Sequence, residues 1–432
     1  MRIVHLVAGA GQMYCGACAR DAALLSELSR RGHDVRVVQL YTPMRLDRDG
    51  VADDTAVYLG GVSLYLEQTV PGYNLVSGLF RGFLDSPAVL RWAGQFAVRT
   101  QPETLGPMTV AMLSGSAGRQ REPIARLQAF LNSLPQPDVV IIANSLLSGL
   151  APHVGGKAGI PIVCGLMGED SFIDRLPSPY REQAIDLLRA NASAIDRFVA
   201  PSRDHARTMA ALLDVPIEKI VPVPAGIRAD GFRPAPSRQR GEPYVIGYLS
   251  SIDQRKGLDL LVDALRILVR DVHRNVKIIV AGKPLNEAYW KEIRAKVDAA
   301  WLDDRFEYVG ELDFAGKVAF LERCSVFCVP SRIAESRGIA AMEAMAAGLT
   351  VVAPGNGVYP ELLREGTAGI LFEPEGVEEL ASALAWAMDN PELTAQIGAN
   401  AGVIVRSKHS VETMADAAVD AYEEAIRASR AG

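Results

Sequence analysis

Apolar residues run continuously, rather than alternately, through Ile3 to Val7, Asp138 to Ala143 and Pro161 to Leu166, as they do in parallel strands covered on both faces. Between the first of these and a further strand at Val35 to Leu40, the stretch Ala19 to Arg31 has apolar residues at helical spacing and stops at Gly32. Strand, loop, helix and strand in that order make the repeating unit of an α/β fold. From Tyr41 to Arg126 the alternation breaks into pieces punctuated by glycine and proline, such as Leu79-Phe80-Arg81-Gly82-Phe83-Leu84. These read as an insertion covering the core, with an acceptor-binding or membrane-surface role as the alternative.

The stretch Phe232-Arg233-Pro234-Ala235-Pro236-Ser237-Arg238-Gln239-Arg240-Gly241 is proline-rich and charged, the composition of a linker. After it the alternation restarts, with strands expected at Tyr244 to Leu249, Val276 to Ala281, Phe306 to Val309, Val326 to Val329 and Thr350 to Ala353, and a helix at Leu258 to Val269. The pattern predicts two Rossmann-like, doubly wound domains, residues 1–233 and 242–408, with 409–432 as a terminal helix packing back toward the first. Domains of this kind facing each other would share a ligand cleft at the carboxyl ends of their strands.

Length agrees, because 432 residues suffice for two cores of about 200 residues each. A charge of -6 excludes a nucleic-acid surface, which needs an excess of Lys and Arg along the strand. Any phosphate site is therefore local. The apolar run at the N-terminus ends at Gly9, too soon for a signal peptide, and no stretch reaches the ~18 apolar residues that span a bilayer. A cytoplasmic protein without an integral membrane segment is expected, peripheral membrane contact remaining open. The five cysteines leave an odd thiol, and Cys15-Gly-Ala-Cys18 stands without a second pair at zinc spacing, so it reads as small residues at a tight turn.

The chemistry concentrates in Glu335-Ser336-Arg337-Gly338 and Glu343-Ala344-Met345-Ala346-Ala347-Gly348. If a helix runs from Gly338 to Gly348, Glu335 lies on the loop at its mouth and Glu343 about one and a half turns inside. The two carboxylates would touch different parts of one long ligand. Backbone N–H groups at such a helix start face an anion, and Gly338 lets a diphosphate approach without a Cβ in its path. Lys256, before Gly257 in the loop after an expected strand, is the counter-charge.

On these residues, with Lys256-Gly257, Val351-Val352-Ala353, Glu361, Gly366 and Gly369, the chain resembles the retaining glycosyltransferases of family 4, whose GT-B fold has two Rossmann-like domains. The resemblance implies a hexosyltransferase that moves sugar from a nucleotide-diphosphate sugar to an acceptor hydroxyl, without metal or other cofactor. It places Glu335 on donor-sugar hydroxyls, Glu343 on the ribose, Lys256 on the diphosphate, and the N–H groups of Gly338 and Ile339 on the distal phosphate. Gly282 and Lys283, with Val309, Gly310 and Leu312, would line the nucleobase, and Gly9 and Gly11 would close over phosphate and sugar.

Two departures stand out. The family's arginine upstream of the lysine is replaced by Ser250 and Ser251, so another cation is required; Arg337, where the family commonly has an aromatic residue, is the first candidate and Arg255 the second. The family's histidine after a late N-terminal strand is replaced by Met167-Gly168-Glu169-Asp170. Glu169 and Asp170 then become candidates for the acceptor side, the plainer reading being a helix cap by Asp170 or Ser171. Asp53-Asp54 and Asp303-Asp304 read as exposed turns rather than a metal clamp, and His33, His205 and His409 as structural or exposed.

Other functions fit less well. A nicotinamide-dependent dehydrogenase would need a glycine where Tyr14 stands and an acidic residue closing Val35 to Leu40. A non-catalytic nucleotide-sugar-binding protein would have no need to keep Glu335, Glu343 and Lys256 together.

Overall fold

The computed structural model describes residues 1–8, 16–41, 52–54, 103, 105–117, 120–155, 159–233, 243–270, 274–363 and 367–431. Gly9, Gly11, Tyr14, Cys15, the Leu79 to Leu84 piece, the linker from Pro234 to Gly241 and Gly366 lie outside the described residues.

Two compact units are present, Met1–Pro224 with Met414–Gly432, and Ala225–Thr413. The division falls at Ala225, ahead of the proline-rich stretch, and most of the terminal helix Val411–Ala431 belongs to the first unit. In that unit β1 (Arg2–Val7), β2 (Asp34–Gln39), β3 (Ala52–Asp54), β4 (Val139–Ile142), β5 (Ile162–Gly165), β6 (Arg197–Ala200) and β7 (Ile220–Pro222) form a parallel sheet in the order β3-β2-β1-β4-β5-β6-β7.

The second unit repeats the plan with β8 (Tyr244–Leu249), β9 (Val276–Ala281), β10 (Phe306–Gly310), β11 (Val326–Cys328), β12 (Val351–Pro354) and β13 (Gly369–Phe372). Its parallel order is β10-β9-β8-β11-β12-β13. The unbroken apolar runs now have their reason. Val245, Ile279, Phe327 and Val351 pack into one core, while Ile246, Ile278, Val326 and Val352 point the other way into a second. A strand alternates faces with period two, so a sheet sandwiched between two apolar layers needs apolar residues at every position. Helix Leu258–Arg270 supplies part of one layer, burying Leu258, Leu261, Val262, Leu265 and Leu268 at the spacing of a single helical face.

In each sheet the chain winds outward in both directions from a switch point, between β1 and β4 in one unit and between β8 and β11 in the other. Two neighbouring loops diverge there at the carboxyl ends, which is where open α/β sheets bind ligands.

Two local expectations need correction. Asp53 and Asp54 are not in a turn but in β3, opposite Val37 and Val38, because an edge strand tolerates polar residues that a central one does not. Cys18 lies in the first turn of helix Gly16–Arg30 rather than in a tight turn. Asp303 and Asp304 are exposed and open a short 3-10 turn, as expected. No described helix is long and apolar enough to cross a membrane.

Candidate functional site

The loops after β8 and β11, on either side of the second unit's switch point, are joined backbone to backbone. After β8 the Asp253 side chain accepts the N–H of Arg255 at 2.9 Å and starts the turn Gln254–Lys256, which Gly257 ends at φ 67°. A Cβ on Gly257 would lie 1.8 Å from the carbonyl oxygen of Pro330, so only glycine permits this approach. Across the junction the N–H of Arg332 donates to the carbonyl of Arg255 at 2.8 Å. The Arg332 guanidinium then forks onto both oxygens of Asp259 at 2.7 Å each, and the Tyr289 hydroxyl donates to Asp259 at 2.6 Å. Burial opposes the charge on Asp259, but Arg332 and Tyr289 outweigh it and hold its carboxyl below the usual range. Asp259 thereby fixes the loop that carries Glu335.

Lys256 Nζ donates to Glu335 Oε1, joining the lysine and the glutamate predicted from sequence. Their side chains are about a fifth exposed, 18% and 20%, so a ligand can reach both. Glu335 is fixed through its backbone as well. Its carbonyl accepts from Val358 N–H at 2.8 Å, and a Cβ on Gly357 (φ 59°) would meet the Glu335 backbone at 2.6 Å.

Helix Ile339–Ala346 starts where the sequence placed it, with Gly338 at φ 67° as its N-cap and no side-chain cap. Among the described residues its leading N–H groups are given to no side chain, the arrangement that receives an anion. Glu343, inside this helix, accepts from Lys317 Nζ at 2.8 Å. Burial raises its pKa and Lys317 partly opposes the rise.

The structure separates the two cation candidates. Arg255 is committed to Asp253 through Nε at 3.2 Å and Nη2 at 3.1 Å. Among the described residues Arg337 Nη1 is buried without a hydrogen-bond partner. This donor stands immediately before the glycine that opens the helix.

The residues expected to line a nucleobase lie at the same end of the sheet. Gly282 (φ 134°) lets its loop approach Ser250, whose carbonyl oxygen would be 1.7 Å from any Cβ there. Its N–H donates to Gly310 at 2.8 Å, and the Tyr308 hydroxyl donates to its carbonyl at 2.8 Å. Val309 and Leu312 pack on the core and Lys283 is exposed. The second unit thus gathers Lys256, Gly282, Lys283, Val309, Gly310, Leu312, Glu335, Arg337, Gly338, Ile339 and Glu343 at the carboxyl ends of its strands.

In the first unit the acidic pair divides. Glu169 is buried and accepts the N–H of Ser145 at 2.9 Å and of Met167 at 2.5 Å, one on each oxygen. It clamps the loop after β4 to the loop after β5, and each of its oxygens is engaged by a backbone donor. The cap reading is corrected. Glu169 occupies the cap position of helix Asp170–Ile173 and makes no cap bond with its side chain, while the Ser171 hydroxyl donates to Gly168. Asp170 keeps a partly exposed carboxylate, 3.9 Å from His205 Nδ1. Because His205 Nε2 accepts the N–H of Gly168 at 3.1 Å, its proton sits on Nδ1, toward Asp170. A histidine therefore does stand beside the acidic pair, delivered by helix Arg203–Leu213 instead of the strand end.

Sequence reasoning missed Lys317, the Arg332–Asp259–Tyr289 cluster and the burial of His205. Lys317 had a signal: it shares one face of helix Phe314–Glu322 with Phe320 and Leu321, and a lysine on an apolar face needs a buried partner.

Residues 16–226 match the glycosyl transferase 4-like domain and residues 232–403 the glycosyl transferases group 1 domain. The phosphatidyl-myo-inositol mannosyltransferase of Mycobacterium leprae is 32% identical over 196 residues, 44% of this chain and 50% of that protein. The lipopolysaccharide core biosynthesis mannosyltransferase LpcC of Rhizobium leguminosarum bv. viciae is 31% identical over 189 residues, 43% of this chain and 53% of that one. The chain thus spans about half the length of the curated relatives it matches. Among solved structures, Anabaena Alr3699/HepE in complex with UDP aligns with 98% of this chain and 100% of its own at TM-score 0.70 and 19% identity. Sucrose-phosphate synthase (tll1590) from Thermosynechococcus elongatus aligns with 99% of this chain and 100% of its own at TM-score 0.71 and 17% identity. At these identities the likeness to solved structures is one of fold.

Proposed function

The chain belongs to the GT-B glycosyltransferases of the family 4 type, and from that premise we propose that it transfers a sugar, with retention of configuration, from a nucleotide-diphosphate sugar to an acceptor hydroxyl. The observation that carries the reading is the joining of Lys256 and Glu335 at a switch point, beside an uncapped helix start. A diphosphate entering there takes Lys256 as its counter-ion and frees Glu335 for the hydroxyls of the sugar. Glu343 meets the ribose, Gly338 and Ile339 offer N–H groups to the distal phosphate, and the loops holding Gly282, Lys283, Val309, Gly310 and Leu312 receive the base. That Alr3699/HepE was crystallised with UDP and with UDP-glucose is consistent with such a donor.

In this scheme the acceptor oxygen bonds to the anomeric carbon as that carbon's bond to the diphosphate oxygen breaks, and the leaving diphosphate accepts the acceptor's proton. The protein positions both partners and stabilises the departing charge, which is worth several kcal/mol in a closed site. Lys256, Arg337 and the helix start carry that charge with no metal ion, and Asp170 orients the acceptor hydroxyl. The test is transfer of radiolabelled sugar from UDP-, GDP- and ADP-sugars in excess EDTA, with the product's anomer read by NMR. The expected product keeps the donor's configuration, and Asp170→Asn lowers transfer far more than donor binding. Complete loss in EDTA that Mg²⁺ restores, or an inverted anomer, would contradict the scheme.

Two phosphates carry about two negative charges, while one lysine and a helix start supply about one and a half. Arg337 makes up the balance. Arg337→Ala is expected to weaken binding of the nucleoside diphosphate by ~1.5–3 kcal/mol, the range for a hydrogen bond to a charged group. Arg255→Ala, which removes a cation already held by Asp253, should change that affinity much less. Equal affinities for wild type and Arg337→Ala in calorimetric titration would rule out this role.

A further inference from the structure

We propose that Lys317 is a positioning residue that keeps Glu343 ionised, with one carboxylate oxygen available to a ribose hydroxyl. The inference rests on the donor-site reading above and extends it to a residue outside the glutamate motif. Lys317 and Glu343 come from different helices, Phe314–Glu322 and Ile339–Ala346, and meet at 2.8 Å with side chains 10% and 11% exposed. Nζ engages Oε1; among the described residues no hydrogen bond is made to Oε2.

A carboxylate as buried as Glu343 loses most of its hydration, and burial accordingly raises its pKa. Only an ionised carboxylate accepts hydrogen bonds at both oxygens, whereas the protonated form gives one oxygen over to donation. Lys317 is the charged group acting on Glu343. Arg406, on the helix packed against the same segment, is turned to the carbonyls of Ala346, Gly402 and Phe232. Asp313, at the start of the lysine's helix, is occupied by the N–H of Gly316. Without Lys317 no other described group opposes the desolvation, and Glu343 takes up a proton at a higher pH than in the wild type.

The sign follows. In Lys317→Met, Glu343 takes up its proton at a higher pH than in wild type, so preference for a ribose hydroxyl is lost toward low pH and regained as pH rises. The measurement is the calorimetric affinity of UDP, GDP and ADP, and of the 2′-deoxy form of whichever binds tightest. Taking the ratio of ribo to deoxy cancels the titration of the phosphates, which both share. Wild type is expected to favour the ribo form about tenfold, as for one hydrogen bond to a charged group. Lys317→Met and Lys317→Gln should bring the ratio near one at pH 6 and restore it at pH 9, while Lys317→Arg keeps it throughout.

Where a single variant fails to fold, the double variant Lys317→Met with Glu343→Gln leaves no buried charge unpaired, and its ratio should be near one at both pH values. A tenfold ratio retained at pH 6 in Lys317→Met or in Lys317→Gln would overturn the role of Lys317 alone, and one retained in the double variant would overturn the ribose assignment of Glu343. A wild-type ratio near one would overturn the ribose assignment of Glu343. Failure of wild type to bind any of the three diphosphates would overturn the donor-site reading, and this inference with it.

Discussion

Lys256→Ala is expected to lower kcat/KM for sugar transfer by about 10²–10³-fold, the usual loss when one preorganised electrostatic contact to a developing charge is removed. The lysine serves two partners in turn. It pairs with Glu335 in the structure, and in the proposed complex it faces the diphosphate. Alanine leaves a carboxylate uncompensated at the place where the donor's own negative charge must enter. Ground-state binding and leaving-group stabilisation should therefore fall together. Folding stability should fall as well, because a pair only about a fifth exposed is weakly screened and losing one partner leaves the other charge uncompensated. Steady-state kinetics alongside thermal denaturation separates these effects, and a loss below about tenfold would remove Lys256 from the chemistry.

Gly257→Ala should be strongly destabilising to the second unit. Its φ of 67° disfavours any side chain, and a left-handed residue with a Cβ costs roughly 1–2 kcal/mol. The larger effect is the Pro330 carbonyl oxygen 1.8 Å from the new atom. That neighbour is backbone, so the loops after β8 and β11 must separate, which draws Lys256 away from Glu335 and strains the Arg332–Asp259 fork. A total above ~3 kcal/mol is expected, or about 6–12 °C in the melting of a unit of this size. Gly32→Ala is the control. It has comparable strain at φ 85° but nothing within 4 Å of its would-be Cβ, so it should lose only the conformational part. Similar melting temperatures for the two variants would show that the close approach at Pro330 is not what holds the loops.

These predictions rest on features that differ in how far they can be read from sequence. Strands β1, β2, β4, β5 and β8 to β12 were legible because a sheet covered on both faces admits little polar alternation, whereas β3, β6, β7 and β13 were not read as strands. Glu335, Gly338 and Glu343 were legible because they lie within one loop and one helix, where spacing fixes relative position. Lys256 was found only through its place at a strand end, since its contact with Glu335 joins residues 79 positions apart.

What remained hidden was tertiary pairing. Glu169 and Asp170 are adjacent and chemically alike, yet Glu169 is consumed by two backbone N–H groups while Asp170 stays partly exposed. Only the course of the loops after β4 and β5 decides which. The same holds for Arg255 and Arg337, one occupied by Asp253 and the other with a buried donor unpartnered. Asp53 and Asp54 carry no apolar pattern of their own and join the sheet only as an edge beside β2.

The central claim is that the second unit holds a nucleotide-diphosphate sugar through Lys256. Thermal denaturation of wild type and Lys256→Ala against UDP-, GDP- and ADP-sugars, without added metal, tests it most directly. A ligand at 100 times its Kd adds ~2.7 kcal/mol to stability, so one donor class should raise the wild-type melting temperature clearly and leave Lys256→Ala nearly unmoved. Stabilisation of neither protein by any of the three, or equal stabilisation of both, would contradict the account.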